Sequence, residues 1–149
     1  RSAVQGYTIT EPADIRHLGL DPHMIPVRHH QLDPYAQMMF ASTTCIALHQ
    51  DVLQRFVMAT FEGWRQAMTH RAEAAKLVAA VSADQPNVAV NRQILEDMLP
   101  IVVGDVGLAR LGFLDSGRWE RNLNTYHQFG MVDRLATFEE VADGRFVTA

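Results

Sequence analysis

The chain is almost without cysteine and almost without lysine. Cys45 is its only cysteine, so no internal disulfide forms and no cysteine-rich metal site exists. Sitting in an apolar run, Cys45 reads as a small buried side chain rather than a reactive thiol. Lys76 is the only lysine; the other twelve basic residues are arginines, scattered without a block, in a chain of net charge −4. That pattern argues against nucleic-acid binding by phosphate neutralisation. No run approaches the roughly 18 apolar residues of a membrane span. The most apolar stretch, from Met38 to Leu48, is broken by Ser42, Thr43 and Thr44. No basic start leads into an apolar run, so no signal peptide is visible.

Catalytic and metal signatures are missing too. There is no Gly-x-Ser-x-Gly elbow. Gly104-Asp105-Val106-Gly107 lacks the Lys-Ser/Thr ending of a phosphate loop and reads as a helix terminator. Of seven histidines, His29 and His30 are adjacent, with His17 and His23 nearby. Neighbours on a strand point to opposite faces, so the adjacent pair is poorly placed to share one ion, and no His-Glu-x-x-His or cysteine pair supports it. No catalytic residue, metal ligand or cofactor is assigned.

What remains is an ordinary globular composition, 48% hydrophobic and 20% charged over 149 residues, enough for one domain with a core. Strands are expected at Val4–Thr8, at Met24–His29, where Pro26 allows only an edge or interrupted strand, and at Tyr35–Ala41, extended toward Cys45. A short helix, Ala13–Leu18, follows Pro12 and stops at Gly19. The strongest signal is Asp51–His70, where Leu53, Phe56, Val57, Thr60, Phe61, Trp64 and Met68 recur at helical spacing. Phe56, Trp64 and Trp119 are expected in the core. Further helices are expected at Arg71–Ser82, with Ala75, Leu77, Val78 and Val81 inward, at Val88–Leu99, and from Asp115 to about Phe129, with a helical turn at Glu139–Val141. The order is strands first and helices after: an α/β fold, rich in helix.

Glu11 stands at the C-terminal end of the first expected strand, the edge where open α/β folds bind ligands. Tyr7, four residues earlier, shares its face. A ring beside a carboxylate suits a planar, N–H-bearing ligand. The residues equally allow Glu11 to be a structural cap. Asp14, one turn on, reads as a helix-dipole partner.

The opening Ala3-Val-Gln-Gly-Tyr-Thr-Ile-Thr-Glu-Pro12 resembles a strand of the thiamine-pyrimidine-precursor family of type 2 periplasmic solute-binding proteins, with Ser2 where the family has aspartate. Asp33-Pro-Tyr-Ala-Gln-Met-Met-Phe40, the helix Val52–Met68, Glu73-Ala-Ala75, Leu111-Gly-Phe-Leu-Asp115 through Trp119, Phe129-Gly130 and Arg145-Phe-Val147 resemble its later segments in order. The stretch between Phe40 and Asp51 is shorter than usual. The resemblance starts where such proteins are about half finished. It implies the C-terminal half of a two-lobed fold in one incomplete solute-binding domain: residues 1–32 ending the second lobe, 33–47 a crossover with hinge strands, and 48–149 the helical part that finishes the first lobe.

The function implied is capture of a thiamine-pyrimidine-like or other small nitrogenous solute for an ABC importer, in the periplasm or another extracytoplasmic space. The membrane subunits of the importer are the implied partners, and Tyr35, at the head of the crossover, joins Tyr7 and Glu11 as a ligand-binding candidate. Unpaired strand edges at Val4–Thr8 and Tyr35–Ala41 would recruit a second copy. The same fold serves ligand-sensing domains of membrane receptors such as histidine kinases and cyclic-nucleotide synthases. A third reading is an enzyme resembling the fungal thiamine-pyrimidine synthases, which would need a Schiff-base lysine; only Lys76, on an expected surface helix, is present.

Overall fold

The computed structural model describes residues 3–35 except 31, residues 37–84, 86–104 and 107–147. Among the described residues seven α-helices follow one another: α1 Glu11–His17, α2 Thr43–Leu48, α3 Gln50–Thr69, α4 Arg71–Val81, α5 Val88–Val103, α6 Ser116–Gln128 and α7 Phe138–Val141, with short 3-10 turns at Val27–His30, Leu108–Arg110 and Gly144–Phe146.

Local chemistry sets the helix ends. Pro12 lies in the first turn of α1, where its missing N–H costs nothing, and Gly19 beyond it takes a φ of 78°. Ser42 caps α2, its Oγ accepting from the Cys45 N–H at 3.1 Å. The Asn87 side chain caps α5 by accepting from Ala89 and Val90, and Asp115 caps α6 by accepting from the Arg118 N–H. At α7, the Glu140 carboxylate accepts from the Thr137 N–H at 2.7 Å, one half of a capping box.

The helix-rich character expected from the sequence is present, and the four long helices after residue 50 are α3 to α6. The strands are not. Among the described residues there is no strand: Val4–Thr8, Tyr35 and Gln37–Ala41 are irregular, and Met24–His29 runs into the Val27–His30 turn. A strand exists only where a neighbour completes its ladder, and none of these segments has one; Pro26 also lacks a donor. Ala36 and Ser2 fall outside the described residues, as do Asp105 and Val106 of the expected terminator. The Ser42-Thr43-Thr44 run, taken as a continuation of a strand, opens α2 instead. Pro100, taken as a stop, lies inside α5; so near the C-terminus it removes one donor and the helix runs one more turn.

The residues form two compact units. The first is Arg1–Ile25 with Glu62–Leu111, the second Pro26–Phe61 with Gly112–Ala149. In the first, Met68, Ala75 and Leu95 are buried together, with Ala74, Met98, Leu99, Val102 and Leu108 packed against them. Arg16 of α1 pairs with Asp97 of α5 at 3.6 Å. In the second, Trp119 of α6 meets Phe138 of α7 edge to face at 6.3 Å. Gly112 there has a φ of 86°, and a Cβ on it would lie 2.3 Å from Phe61 Cζ, so only glycine fits.

Several expected core positions are open. Phe56 is 59% and Trp64 39% exposed, and Leu77, Val78 and Val81 of α4 are exposed as well. Helical period fixes which side chains share a face; it does not supply a surface to cover that face. Cys45 is half-buried. Met68→Ala should therefore cost about 2–5 kcal/mol, whereas Phe56→Ala and Trp64→Ala, which leave no cavity, should each cost less than about 1 kcal/mol. Urea unfolding of the three variants measures this, and a larger loss at Phe56 than at Met68 would contradict the assigned core.

Candidate functional site

Tyr7 and Glu11 lie together in the first unit, and Tyr35 lies in the second. Glu11 is the first residue of α1, and its side chain turns back over the preceding chain. Oε2 accepts from the Tyr7 backbone N–H at 2.7 Å and from the Thr10 hydroxyl. The fit is close: a Cβ on Gly6 would come within 2.6 Å of Glu11 Cγ and Cδ. The hydroxyl of Thr10 first, and the backbone amides of Glu11 and Tyr7 with it, hold the carboxyl below its ordinary range. Glu11 therefore shapes the turn from Gly6 to Thr10. Its other oxygen, Oε1, accepts no bond from another side chain among the described residues. Tyr7 itself is 55% exposed, and it is its backbone N–H that meets the carboxylate at the start of α1.

Tyr35 is placed by a group the sequence reading missed. Its phenol oxygen accepts from the Asp115 N–H at 2.7 Å, and the Arg118 guanidinium lies 4.2 Å from its ring centroid. Arg118 also donates to the Asp33 carbonyl at 2.8 Å and to the Pro34 carbonyl at 3.2 Å, and pairs with the Asp33 carboxylate at 3.0 Å. Buried Asn122, one turn on, accepts from the Asp33 N–H at 2.9 Å and donates to the Asp33 carbonyl at 2.8 Å. Asp33-Pro34-Tyr35 is thus an irregular segment whose backbone groups are satisfied by one face of α6. The partners are 80 to 89 residues apart in sequence, and the signal that could have found them is modest: an arginine and an asparagine four apart in a helix opened by Asp115.

A third feature went unpredicted. The corner between α3 and α4, with facing residues of α5, bounds a hollow of about 330 Å³ whose lining includes His70, Arg71, Glu73, Arg92 and Glu96. Lys76 is exposed on α4. Among the described residues no group of three or more His, Cys, Asp or Glu side chains comes together in a way that could hold a metal ion, and no helix is long and apolar enough to cross a membrane.

The pH response of Glu11 follows from its hydrogen bonds. A carboxyl whose folded pKa is depressed contributes stability above its unfolded pKa and loses it as pH falls through the folded value. The Tyr7 amide should accordingly titrate with an apparent pKa below the ordinary 4.5 of a glutamate, and Glu11→Gln should abolish that titration. The amide proton shift of Tyr7, followed by NMR from neutral to acid pH, reads both; a titration at or above the ordinary value would mean that the bond is not formed.

No curated protein and no solved structure matches the chain. Residues 2–74 match the family model described as NMT1/THI5 like; the motifs from Leu111 onward lie beyond the matched segment. That segment, with Tyr7, Glu11 and Tyr35 all inside it, is similar to the NMT1/THI5-like family, the thiamine-pyrimidine-precursor family that the motifs resemble.

Proposed function

We propose that the chain is the ligand-holding part of a solute-binding protein that serves an ABC importer outside the cytoplasm. It takes a thiamine-pyrimidine-like or other small nitrogenous solute and carries out no chemistry on it. The observation that carries this reading is the family match over residues 2–74, because every candidate residue drawn from the sequence falls inside it. In the proposed arrangement residues 1–32 belong to one lobe, 33–47 cross over, and 48–149 supply helices to the other.

The chemistry at the start of α1 supports the same ligand class. An ionised Glu11 accepts charge-assisted hydrogen bonds from an amidine-like or amino-pyrimidine edge, which contribute more than neutral ones. The exposed Tyr7 ring offers a flat apolar face to the same ligand. Tyr35, in the second unit and tied through its hydroxyl and its ring, is the third ligand-binding candidate that the resemblance implies.

Mass spectrometry of small molecules retained through purification of the full-length protein identifies the ligand. Calorimetric titration with that molecule then tests the site. Glu11→Gln keeps the shape but replaces an acceptor with a donor, and should weaken binding by about 1.5–3 kcal/mol, near the worth of a hydrogen bond to a charged group. Tyr7→Ala should cost more than Tyr7→Phe. A normally folded Glu11→Gln variant that binds as tightly as the parent would make Glu11 a structural cap and remove it from the site.

A further inference from the structure

We propose that α3 is an association surface: a second copy of this chain lays its own α3 antiparallel on it, Phe56 of each copy packing over Ala59 of the other. The inference uses none of the residues assigned to solute capture above. It starts from an open face. α3 is one unbroken helix of 20 residues. Val52, Phe56, Ala59 and Gly63 recur along it at spacings of four, three and four, which brings them into one line. Val52 and Phe56 are exposed, Ala59 is exposed between them and Gly63, and a Cβ added to Gly63 would meet nothing within 4 Å. A phenyl ring left in water on a rigid helix is apolar area whose burial is favourable.

The line is complementary to itself. Alternating steps of four and three are the seam of paired helices. Two copies related by a two-fold axis bring the same helix together antiparallel. In the register that sets seam residues between one another, Phe56 lies level with the second copy's Ala59 and Val52 with its Gly63. Each large side chain then faces a small one, and the helices close without voids. The charges agree with that register. Arg55 and Glu62 each come one residue before a seam position, so they share a flank of α3, and a two-fold axis brings like flanks together. Arg55 then stands two residues, about 3 Å along the axis, from the second copy's Glu62, once on each side of the axis. On its own helix Arg55 meets Asp51 through Nη2 at 3.0 Å and through Nε at 3.3 Å, and Nη1 takes part in neither bond. This match of size and of sign singles out a second copy of the chain. One helix pair is smaller than a standard interface, so the association is weak and reversible.

Sedimentation equilibrium of the 149-residue protein, from about 10 μM to about 1 mM, reads the association directly. A reversible monomer–dimer equilibrium is expected, with a dissociation constant on the order of 100 μM. Phe56→Ala, at an exposed position that leaves no cavity, should weaken it at least about tenfold. Arg55→Glu and Glu62→Arg should each weaken it about fivefold. The two together should restore it to within about twofold of the parent, because the pair re-forms with its signs exchanged. That rescue requires a face that meets its own copy in this register. Helix content by circular dichroism confirms that each variant is folded. A protein still monomeric at about 1 mM, the top of the range that a weak contact allows, overturns the proposal. So does a dimer that Phe56→Ala leaves intact, which would move the contact to another exposed position such as Phe40 or Leu48, and so does a folded double variant that associates no more tightly than the single ones.

Discussion

Met68 is the only large side chain among the described residues with no exposed surface at all, and the first unit is assembled around it. It projects from the end of α3 into the space between α4 and α5. The two helices approach closely there because Ala75 offers nothing beyond a Cβ. An unbranched thioether adapts to a gap of that irregular kind better than a branched chain does. The remainder of the contact is made by half-buried aliphatics, so the unit has little core in reserve. The ion pair of Arg16 with Asp97 is long, at 3.6 Å, and still reached by solvent, and adds little to it.

The second unit rests on a different economy. Its extended stretch cannot bury its backbone in a ladder, because no strand lies beside it. Asn122 answers the N–H and the C=O of Asp33 together, as a neighbouring strand would have done. Arg118 then fixes the following two residues through a carbonyl and a ring. This is how an irregular segment acquires a defined shape without secondary structure, and it ties the Tyr35 side chain at both its hydroxyl and its ring.

How much of this could be read from the chain differs by feature. The helix from Asp115 to about Phe129 is Ser116–Gln128 in the structure, because its cap and the Gly130 stop are local and carry their own chemistry. The same holds for α1 between Pro12 and Gly19. The open faces at Phe56, Trp64 and Val81 were illegible, since periodicity orients a face without saying what covers it. The strands failed for a related reason: alternation is a property of one segment, whereas a ladder is a property of two. At the candidate site, the spacing placed Tyr7 and Glu11 on one face of a strand that does not form, and the turn of the carboxylate onto the Tyr7 backbone left no trace in the spacing. Arg118 and Asn122 stayed hidden because nothing near them names a partner some 85 residues away.

The interleaving of the two units has a temporal side. Every residue of the first unit precedes Gly112 in the chain, so during synthesis that unit can close as soon as the end of α5 and the Leu108–Arg110 turn have left the ribosome. The second unit is split around it: the Asp33 segment emerges early, yet its donors and acceptors on α6 arrive only after the whole first unit has been made. Until then that segment, together with the exposed Phe40 and Leu48 that follow it, must wait in solution without its partners. The interval is set by translation, since closing a loop of this length is fast once both ends exist. The stretch from Pro26 to Phe61 is thus the part of the nascent chain most in need of a chaperone's cover.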